Sequence, residues 1–221
     1  MKSLIIGSGE VGRSLHKIIG GDIRDKDAYG GFYDVIHICF PYSKEFNKDV
    51  KEYQEVHKAK YTVIHSTVPI GTSKELGAIH SPVIGIHPFL EESLKTFTKF
   101  IGGGNQEIID FFRRRGMKVY PFDKSETTEL MKIMDTTFYG LCIEYTREVK
   151  DQCDKHKIPF EAWTIYTNIY NEGYKKLGYP EVVRPNLIPP KKEIGGHCVV
   201  SNCDFIDNKF TKLIKENNGK N

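Results

Sequence analysis

Six residues near the amino terminus have the spacing of a phosphate-binding loop. The string Gly7-Ser8-Gly9-Glu10-Val11-Gly12 is G-x-G-x-x-G, and it directly follows the apolar run Ser3–Ile6. Glycines permit a tight turn and let backbone N–H groups approach a pyrophosphate closely. An ordinary glycine-rich connection between a strand and a helix is the structural alternative. Because the string opens a βαβ series, it favours a nicotinamide coenzyme, NAD with NADP as the second possibility.

Two aspartates follow at the distance expected of a ribose ligand. The second strand of such a unit should end in an acidic residue that hydrogen-bonds the adenosine ribose, and Asp22 and Asp25 are both candidates. Their carboxylates would repel the 2′-phosphate of NADP, which favours NAD. Arg24 and Lys26 could instead accept that phosphate, so the choice between the coenzymes stays open.

Hydroxyl side chains follow another apolar run. Ser66 and Thr67 come at its carboxyl end, and Pro69 then stops the strand ladder. In parallel sheets this edge faces the crevice where ligands bind, and a plain serine or threonine turn is the alternative. We assign Ser66 and Thr67 to the coenzyme site, together with Phe40 and Pro41 at the end of the preceding run.

A lysine and a cysteine further along the chain are candidates for chemistry. Lys132 lies between Met131 and Ile133 on a predicted helix, where a charged group needs a partner or a wet cavity; snorkelling to the surface is the alternative. Cys198 follows His197 and a lysine pair, and a positive neighbourhood can favour a thiolate nucleophile. An inert buried thiol is one alternative. Zinc held by His197, Cys198 and Cys203 is another, but a fourth ligand is lacking nearby, so we predict no metal.

Short apolar runs that alternate with helical stretches must position these residues. They predict an α/β fold with a Rossmann-like, doubly wound parallel sheet over residues 1–122, followed by a smaller all-helical domain over residues 123–221. Asp123 would cap a long helix that runs to about His156, with Glu126 as its capping-box partner. A second, aromatic-rich helix covers residues 160–177. The predicted strands are Ser3–Ile6, 35–40, 62–65, 82–86 and 117–122.

Composition limits the class of protein. The chain has 221 residues, of which 39% are hydrophobic and 12% aromatic, so it can bury a proper core. Its 32 basic and 29 acidic residues form no basic stripe, and we expect no nucleic-acid partner. We also expect no membrane association, because apolar stretches stay short of the roughly 18 residues of a span. An amino terminus without signal-peptide features and five scattered cysteines predict a cytoplasmic protein with reduced thiols.

Several segments resemble the nucleotide-sugar dehydrogenases, the family of UDP-glucose and UDP-N-acetylmannosamine 6-dehydrogenases. Residues 65–72, H-S-T-V-P-I-G-T, are similar to the family's S-T-V-P-x-G-T segment. I-G-G at 101–103 and T-E-L-M-K at 128–132 resemble its I-G-G and A-E-x-x-K segments, and I-G-G-H-C at 194–198 resembles its G-G-x-C loop. The resemblance covers nearly the whole chain.

The resemblance implies roles for individual residues. Thr67 would line the nicotinamide end of the coenzyme, Lys132 would stabilise a developing oxyanion, and Cys198 would capture an aldehyde as a thiohemiacetal. Thr136 stands where the family has an asparagine, and Asn202 stands where it has an aspartate. The family's P-E-F-L glutamate has no counterpart in the string H-P-F-L at residues 87–90.

The implied protein is an NAD-dependent dehydrogenase that oxidises an alcohol of a sugar or nucleotide sugar. The resemblance further implies a homodimer formed through the long helix. Because the chain ends soon after Cys198, we expect a truncated form without the family's carboxyl-terminal UDP-binding domain. One alternative is a dehydrogenase of the 3-hydroxyacid or 6-phosphogluconate type with a single hydride transfer. A catalytically degenerate dinucleotide-binding protein is the other.

Overall fold

The chain folds into two compact units, Met1–Ile133 and Met134–Asn221. The computed structural model describes residues 1–25, 27, 30–190, 193–194 and 198–218. Within these ranges the first unit is a mostly parallel sheet with helices, and the second unit is helical. The predicted α/β class is therefore confirmed. The predicted domain division at residues 122 and 123 stays a prediction.

The described part of the first unit contains a sheet of seven strands in the order β2-β1-β3-β4-β5-β6-β7. All neighbouring strands are parallel except β5 and β6, which are antiparallel. The chain moves from β1 to one side for β2 and to the other side for β3, which makes the carboxyl end of β1 a topological switch point. The strands are β1 (Ser3–Ile6), β2 (Asp22–Arg24), β3 (Val35–Ile38), β4 (Tyr61–Ile64), β5 (Ile79–His80), β6 (Lys99–Gly102) and β7 (Val119–Phe122).

Helices cover both faces of this sheet. Alternate strand residues point to opposite faces, so Leu4 and Ile6 belong to one buried cluster and Ile5 belongs to another. Phe46 packs in the first cluster and Phe112 in the second. Strands buried on both sides explain the continuous apolar runs of the sequence. The helices are α1 (Glu10–Ile19), α2 (Phe46–His57), α3 (Thr72–Glu75), α4 (Leu90–Thr96), α5 (Gln106–Arg113) and the start of α6 (Ser125–Lys155).

Two strands differ from the expectation. The predicted strand at 82–86 is wrong, because the pairing segment is Ile79–His80 and residues 81–86 join no ladder. Pro82 has no N–H group to donate to a neighbouring strand. The strand Lys99–Gly102 was missed, since it begins with a lysine and ends with a glycine, two residue types that are depleted in strands.

The second unit consists of α6 from residue 134 onward, α7 (Glu161–Lys176), α8 (Val199–Asn202) and α9 (Lys209–Asn218). Both long helices end within a residue of the expected positions, but α6 begins at Ser125 rather than directly after Asp123. A Cβ atom on Gly140 would lie 2.6 Å from Val199 and 2.8 Å from Ile214, so this glycine lets α8 and α9 pack closely on α6. No helix among the described residues is long and apolar enough to cross a membrane.

Candidate functional site: the carboxyl edge of the sheet

The glycine loop turns tightly between β1 and α1. Gly7 has a positive φ of 109°, and a Cβ atom there would lie 2.9 Å from the carbonyl carbon of Cys39. A Cβ atom on Gly12 would lie 1.9 Å from the carbonyl oxygen of Gly7. Only glycine therefore fits at these two positions. At Gly9, by contrast, a Cβ atom would meet nothing within 4 Å, so this side of the loop is open.

The open side of the loop is the amino terminus of α1. Gly9 occupies the N-cap position and provides no side-chain cap, so the first N–H groups of the helix have no such acceptor. Unsatisfied N–H groups and the positive end of the helix dipole attract anions. The geometry suits a phosphate group at the switch point of the sheet.

Strand register distinguishes the two aspartates. Ile6 of β1 pairs with Arg24 of β2, so Asp25 follows β2 at the same edge as the glycine loop. The Ser8 hydroxyl donates to the Asp25 carboxylate at 3.0 Å. Asp22 begins the strand instead, and its carboxylate accepts a hydrogen bond of 2.6 Å from the Tyr33 hydroxyl. The structure thus brings Asp25 to the loop and places Asp22 further back along the sheet.

Arg24, the cation beside these aspartates, already donates hydrogen bonds to other groups. The Arg24 guanidinium donates to the Tyr33 hydroxyl and to the Gly30 carbonyl, each at 3.1 Å. Lys26, the second cation that could accept a 2′-phosphate, lies outside the described residues. Arg24 would have to give up contacts of its own to bind such a phosphate.

The ends of β3 and β4 meet at the same edge. The Ser66 hydroxyl donates to the Phe40 carbonyl at 2.5 Å, and the backbone nitrogen of Phe40 lies 3.0 Å from the position of a Gly7 Cβ. Phe40 is buried, Pro41 is exposed, and Ser66 and Thr67 are partly exposed. Four of the predicted coenzyme residues, Phe40, Pro41, Ser66 and Thr67, therefore follow the two strands nearest to β1 on that side.

Two buried side chains, Glu129 and His80, connect the loop after β4 to the start of α6. The Glu129 carboxylate is fully buried and accepts hydrogen bonds from the backbone N–H groups of Gly71 at 2.6 Å and Ser73 at 2.8 Å. On the same helix Lys132 is partly exposed, and its predicted role stays a prediction. The buried role of Glu129 was not predicted, although a carboxylate next to apolar helix residues indicates that it has buried partners.

His80 is the second of these buried side chains. Its Nε2 lies 3.2 Å from the Ser66 carbonyl and its Nδ1 lies 2.8 Å from the Thr128 hydroxyl. Because a carbonyl can only accept, Nε2 carries the hydrogen of the neutral ring and donates it to the Ser66 carbonyl. Burial lowers the pKa of His80 to about 3, so the ring stays neutral at physiological pH. His80 was missed because a single histidine at a strand end has no distinctive pattern.

A buried basic cluster lies behind the Ser66 loop. The Lys99 ammonium nitrogen lies 3.3 Å from the Ser81 carbonyl and 3.3 Å from Nδ1 of His65, which itself donates to that carbonyl at 2.8 Å. Nε2 of His65 lies 3.0 Å from Nδ1 of His37. Burial lowers the pKa of Lys99 to about 7 and that of His37 to about 3. Burial therefore disfavours the protonated form of several basic side chains in the sheet core.

The remaining candidates lie in the second unit. Cys198 is exposed at the start of α8, so the alternative of a buried, inert thiol does not apply. The Asn202 amide donates to the Thr136 hydroxyl at 3.3 Å, and both residues are buried. The structure thus joins the two positions at which the chain departs from the family pattern, and it joins them as a neutral pair.

Part of the predicted cysteine neighbourhood is outside the described residues, namely His197 and the lysine pair at 191 and 192. Cys203 is buried, its thiol lies 3.3 Å from the Val199 carbonyl, and burial raises its pKa. Within the described ranges no group of three or more His, Cys, Asp or Glu side chains is arranged to hold a metal ion.

Comparisons with known proteins agree with this architecture. A UDP-D-ManNAc dehydrogenase from Pyrococcus horikoshii is similar with a TM-score of 0.75 and 15% identity, over 99% of this chain and 68% of that one. A 3-hydroxyisobutyrate dehydrogenase from Mycobacterium tuberculosis is similar with a TM-score of 0.68 and 11% identity, over 98% and 92% of the two chains. A UDP-glucose dehydrogenase from Pyrobaculum islandicum is similar with a TM-score of 0.67 and 14% identity, over 98% of this chain and 68% of that one.

These likenesses show the fold. No protein-family model matches the sequence, and no curated protein is similar to it in sequence. The chain therefore has the Rossmann-type fold of these dehydrogenases, at sequence identities that leave its reaction to be argued from its own residues.

Proposed function

We propose that this chain is a dehydrogenase that uses NAD to oxidise an alcohol of a sugar-type or nucleotide-sugar-type substrate. The observation that carries the proposal is the glycine loop, which exposes the uncapped start of α1 at the switch point of the sheet. Dehydrogenases among the solved structures of similar fold support the same reaction class. The coenzyme, when bound, would supply the acceptor for a hydride from the substrate carbon.

The coenzyme would be held by residues of the first unit. The N–H groups at the start of α1 would bind the pyrophosphate, and the Asp25 carboxylate would accept a hydrogen bond from the adenosine ribose. Asp25 carries a negative charge that opposes a 2′-phosphate, and Arg24 is committed to Tyr33 and Gly30. We therefore favour NAD over NADP. Phe40, Pro41, Ser66 and Thr67 would complete the site along the ends of β3 and β4.

Two side chains would act on the substrate. The Lys132 ammonium would donate a hydrogen bond to the substrate oxygen and stabilise the alkoxide that forms as the hydroxyl proton passes to solvent, and departure of the hydride from the carbon would then leave a neutral carbonyl. The exposed Cys198 thiol would then add to the aldehyde carbon, forming a C–S bond while the carbonyl oxygen takes the thiol proton, which gives a thiohemiacetal. This step needs no further oxidant.

The Thr136 and Asn202 pair favours a second candidate reaction. A hydroxyl and an amide that bind each other cannot serve as a general base for hydrolysis of a thioester. A single hydride transfer that ends at the carbonyl product needs no such base. A two-electron dehydrogenase of the 3-hydroxyacid or 6-phosphogluconate type, in which Cys198 is dispensable, therefore remains the second candidate.

Coenzyme titration followed by an activity screen tests both candidates. We expect NADH to bind, and we expect turnover with NAD on sugar alcohols or nucleotide sugars. If the thiol forms an intermediate, the turnover rate should fall at least about a hundredfold in a Cys198→Ser variant. Cys153→Ser, on α6, is the matched control and should keep full activity. Retained turnover in Cys198→Ser favours the two-electron reaction. Coenzyme binding without turnover indicates a degenerate protein, and failure of both NADH and NADPH to bind refutes the dehydrogenase proposal.

We further propose that two copies associate through α6. Exposed aromatic side chains lie on this helix, among them Phe138 at 62% and Tyr145 at 61% exposure, and exposed apolar sets of this kind mark interaction surfaces. We expect a dimer in sedimentation equilibrium, weakened at least about tenfold by Phe138→Glu. A monomer at micromolar concentration would contradict this.

The cytoplasmic location also remains a proposal, which cell fractionation can check.

A further inference from the structure

An ion pair connects the glycine loop to the segment before α4. Oε2 of Glu10, the first residue of α1, lies 2.6 Å from Nδ1 of His87. The other carboxylate oxygen of Glu10 is buried and has no hydrogen-bond partner among the described residues. The side chains are 40% and 54% exposed, so both remain accessible to solvent. His87 is therefore the described partner that can compensate the charge of Glu10.

Glu10 lies at the same helix terminus where a phosphate ligand would bind. A carboxylate in the first turn is stabilised by the positive end of the helix dipole, and the same helix end attracts the pyrophosphate. Two negative groups at one helix terminus repel each other. At a separation of about one helical turn, and with a dielectric constant close to that of water, such a repulsion weakens binding by about three- to tenfold.

We propose that Glu10 and His87 form a charge pair that sets the affinity for the dinucleotide. With a proton on His87 the pair is neutral, and the pyrophosphate meets only the helix terminus. Without that proton the charge of Glu10 is uncompensated and opposes the coenzyme. Since an imidazole gains and loses its proton in the physiological range, affinity should fall as pH rises. This inference rests on the proposed function, because it concerns the same coenzyme site.

Other charged groups lie on the adjoining helices. On α1, Arg13 is exposed one turn after Glu10, and Lys17 pairs with Glu91 of α4 at 3.0 Å. Glu91 also accepts from Lys95 at 2.9 Å, and these two lysines hold its pKa below the ordinary value. Glu92 lies exposed in the first turn of α4. Among these groups His87 is the one whose side chain contacts the Glu10 carboxylate.

Fluorescence titration with NADH at pH 6 and pH 8 tests the pair. We expect the wild type to bind NADH about three- to tenfold more weakly at pH 8 than at pH 6. Glu10→Gln should bind equally well at both values, and as tightly as the wild type at pH 6. His87→Gln should bind weakly at both values, because Glu10 then stays uncompensated. Glu92→Gln is the matched control and should keep the wild-type pH dependence.

The outcomes separate the two proposals. If NADH and NADPH bind at neither pH, the coenzyme proposal and the charge pair both fail. If NADH binds but Glu10→Gln keeps the wild-type pH dependence, the charge pair alone is refuted. Thermal unfolding of each variant confirms that the comparison is made on folded protein.

Discussion

Replacing Lys99 by methionine is expected to stabilise the protein by a few kcal/mol at pH 7. The Lys99 side chain is buried within the sheet core, where its pKa falls from 10.5 to about 7 because burial penalises the charge. Below pH 7 the folded protein must hold a buried ammonium, at a cost that approaches ~5 kcal/mol for a pKa displaced this far. Methionine has a similar volume and removes that charge without leaving a cavity.

The same residue sets a pH dependence with a defined sign. Between pH 7 and about 10.5 the unfolded chain binds the lysine proton and the folded protein has released it. The free energy of unfolding therefore rises with pH across this window in the wild type, and it should rise much less in Lys99→Met. His37 and His80 act in a separate window, because their lowered pKa values of about 3 cause stability to be lost between pH 6.5 and 3.

Urea denaturation from pH 6 to pH 10 measures the difference between the two proteins. Lys118→Met is the matched control, because Lys118 is exposed and the same substitution there removes no buried charge. It should leave both the stability and its pH dependence within about 0.5 kcal/mol of the wild type. Equal pH slopes in Lys99→Met and the wild type would show that Lys99 holds its proton in the core after all.

The second large effect is expected from alanine at two glycines of the same loop. Gly12→Ala should destabilise the protein by at least about 3 kcal/mol, because its Cβ atom would lie 1.9 Å from the Gly7 carbonyl oxygen. That clash exceeds the gain of about 1 kcal/mol in helix propensity. Gly9→Ala should lose only about 1 kcal/mol as a poorer N-cap, because its Cβ atom meets nothing within 4 Å. It should nevertheless bind NADH at least about tenfold more weakly, since the methyl group would stand where the pyrophosphate must approach.

Calorimetric titration and thermal unfolding, measured on both variants, separate these effects. Gly173→Ala, within α7, serves as control, because a Cβ atom there also meets nothing within 4 Å and the residue is remote in sequence from the loop. It should bind NADH normally and gain a few tenths of a kcal/mol or more in stability. Unchanged NADH affinity in Gly9→Ala would mean that the phosphates do not lie against this loop.

The features that the sequence predicts well are those whose information lies in neighbouring residues. G-x-G-x-x-G after an apolar run specifies a local backbone path, and the structure has that turn between β1 and α1. Helical periodicity over thirty residues likewise predicted α6 with an end at about His156, and the helix ends at Lys155. A pattern read within one segment could not tell whether Asp22 or Asp25 reaches the loop. That follows from the pairing of Ile6 with Arg24 across two strands.

The sequence by itself determined the fold class, the glycine loop and the long helices, because each depends on residues close together in the chain. Only the tertiary structure decided that Glu129 holds the Gly71 turn, that Lys99 is enclosed with His65, and that Glu10 meets His87. These contacts join residues that lie 34 to 77 positions apart. Strand order and register bring such residues together, and neither can be predicted from the pattern of side chains within one segment.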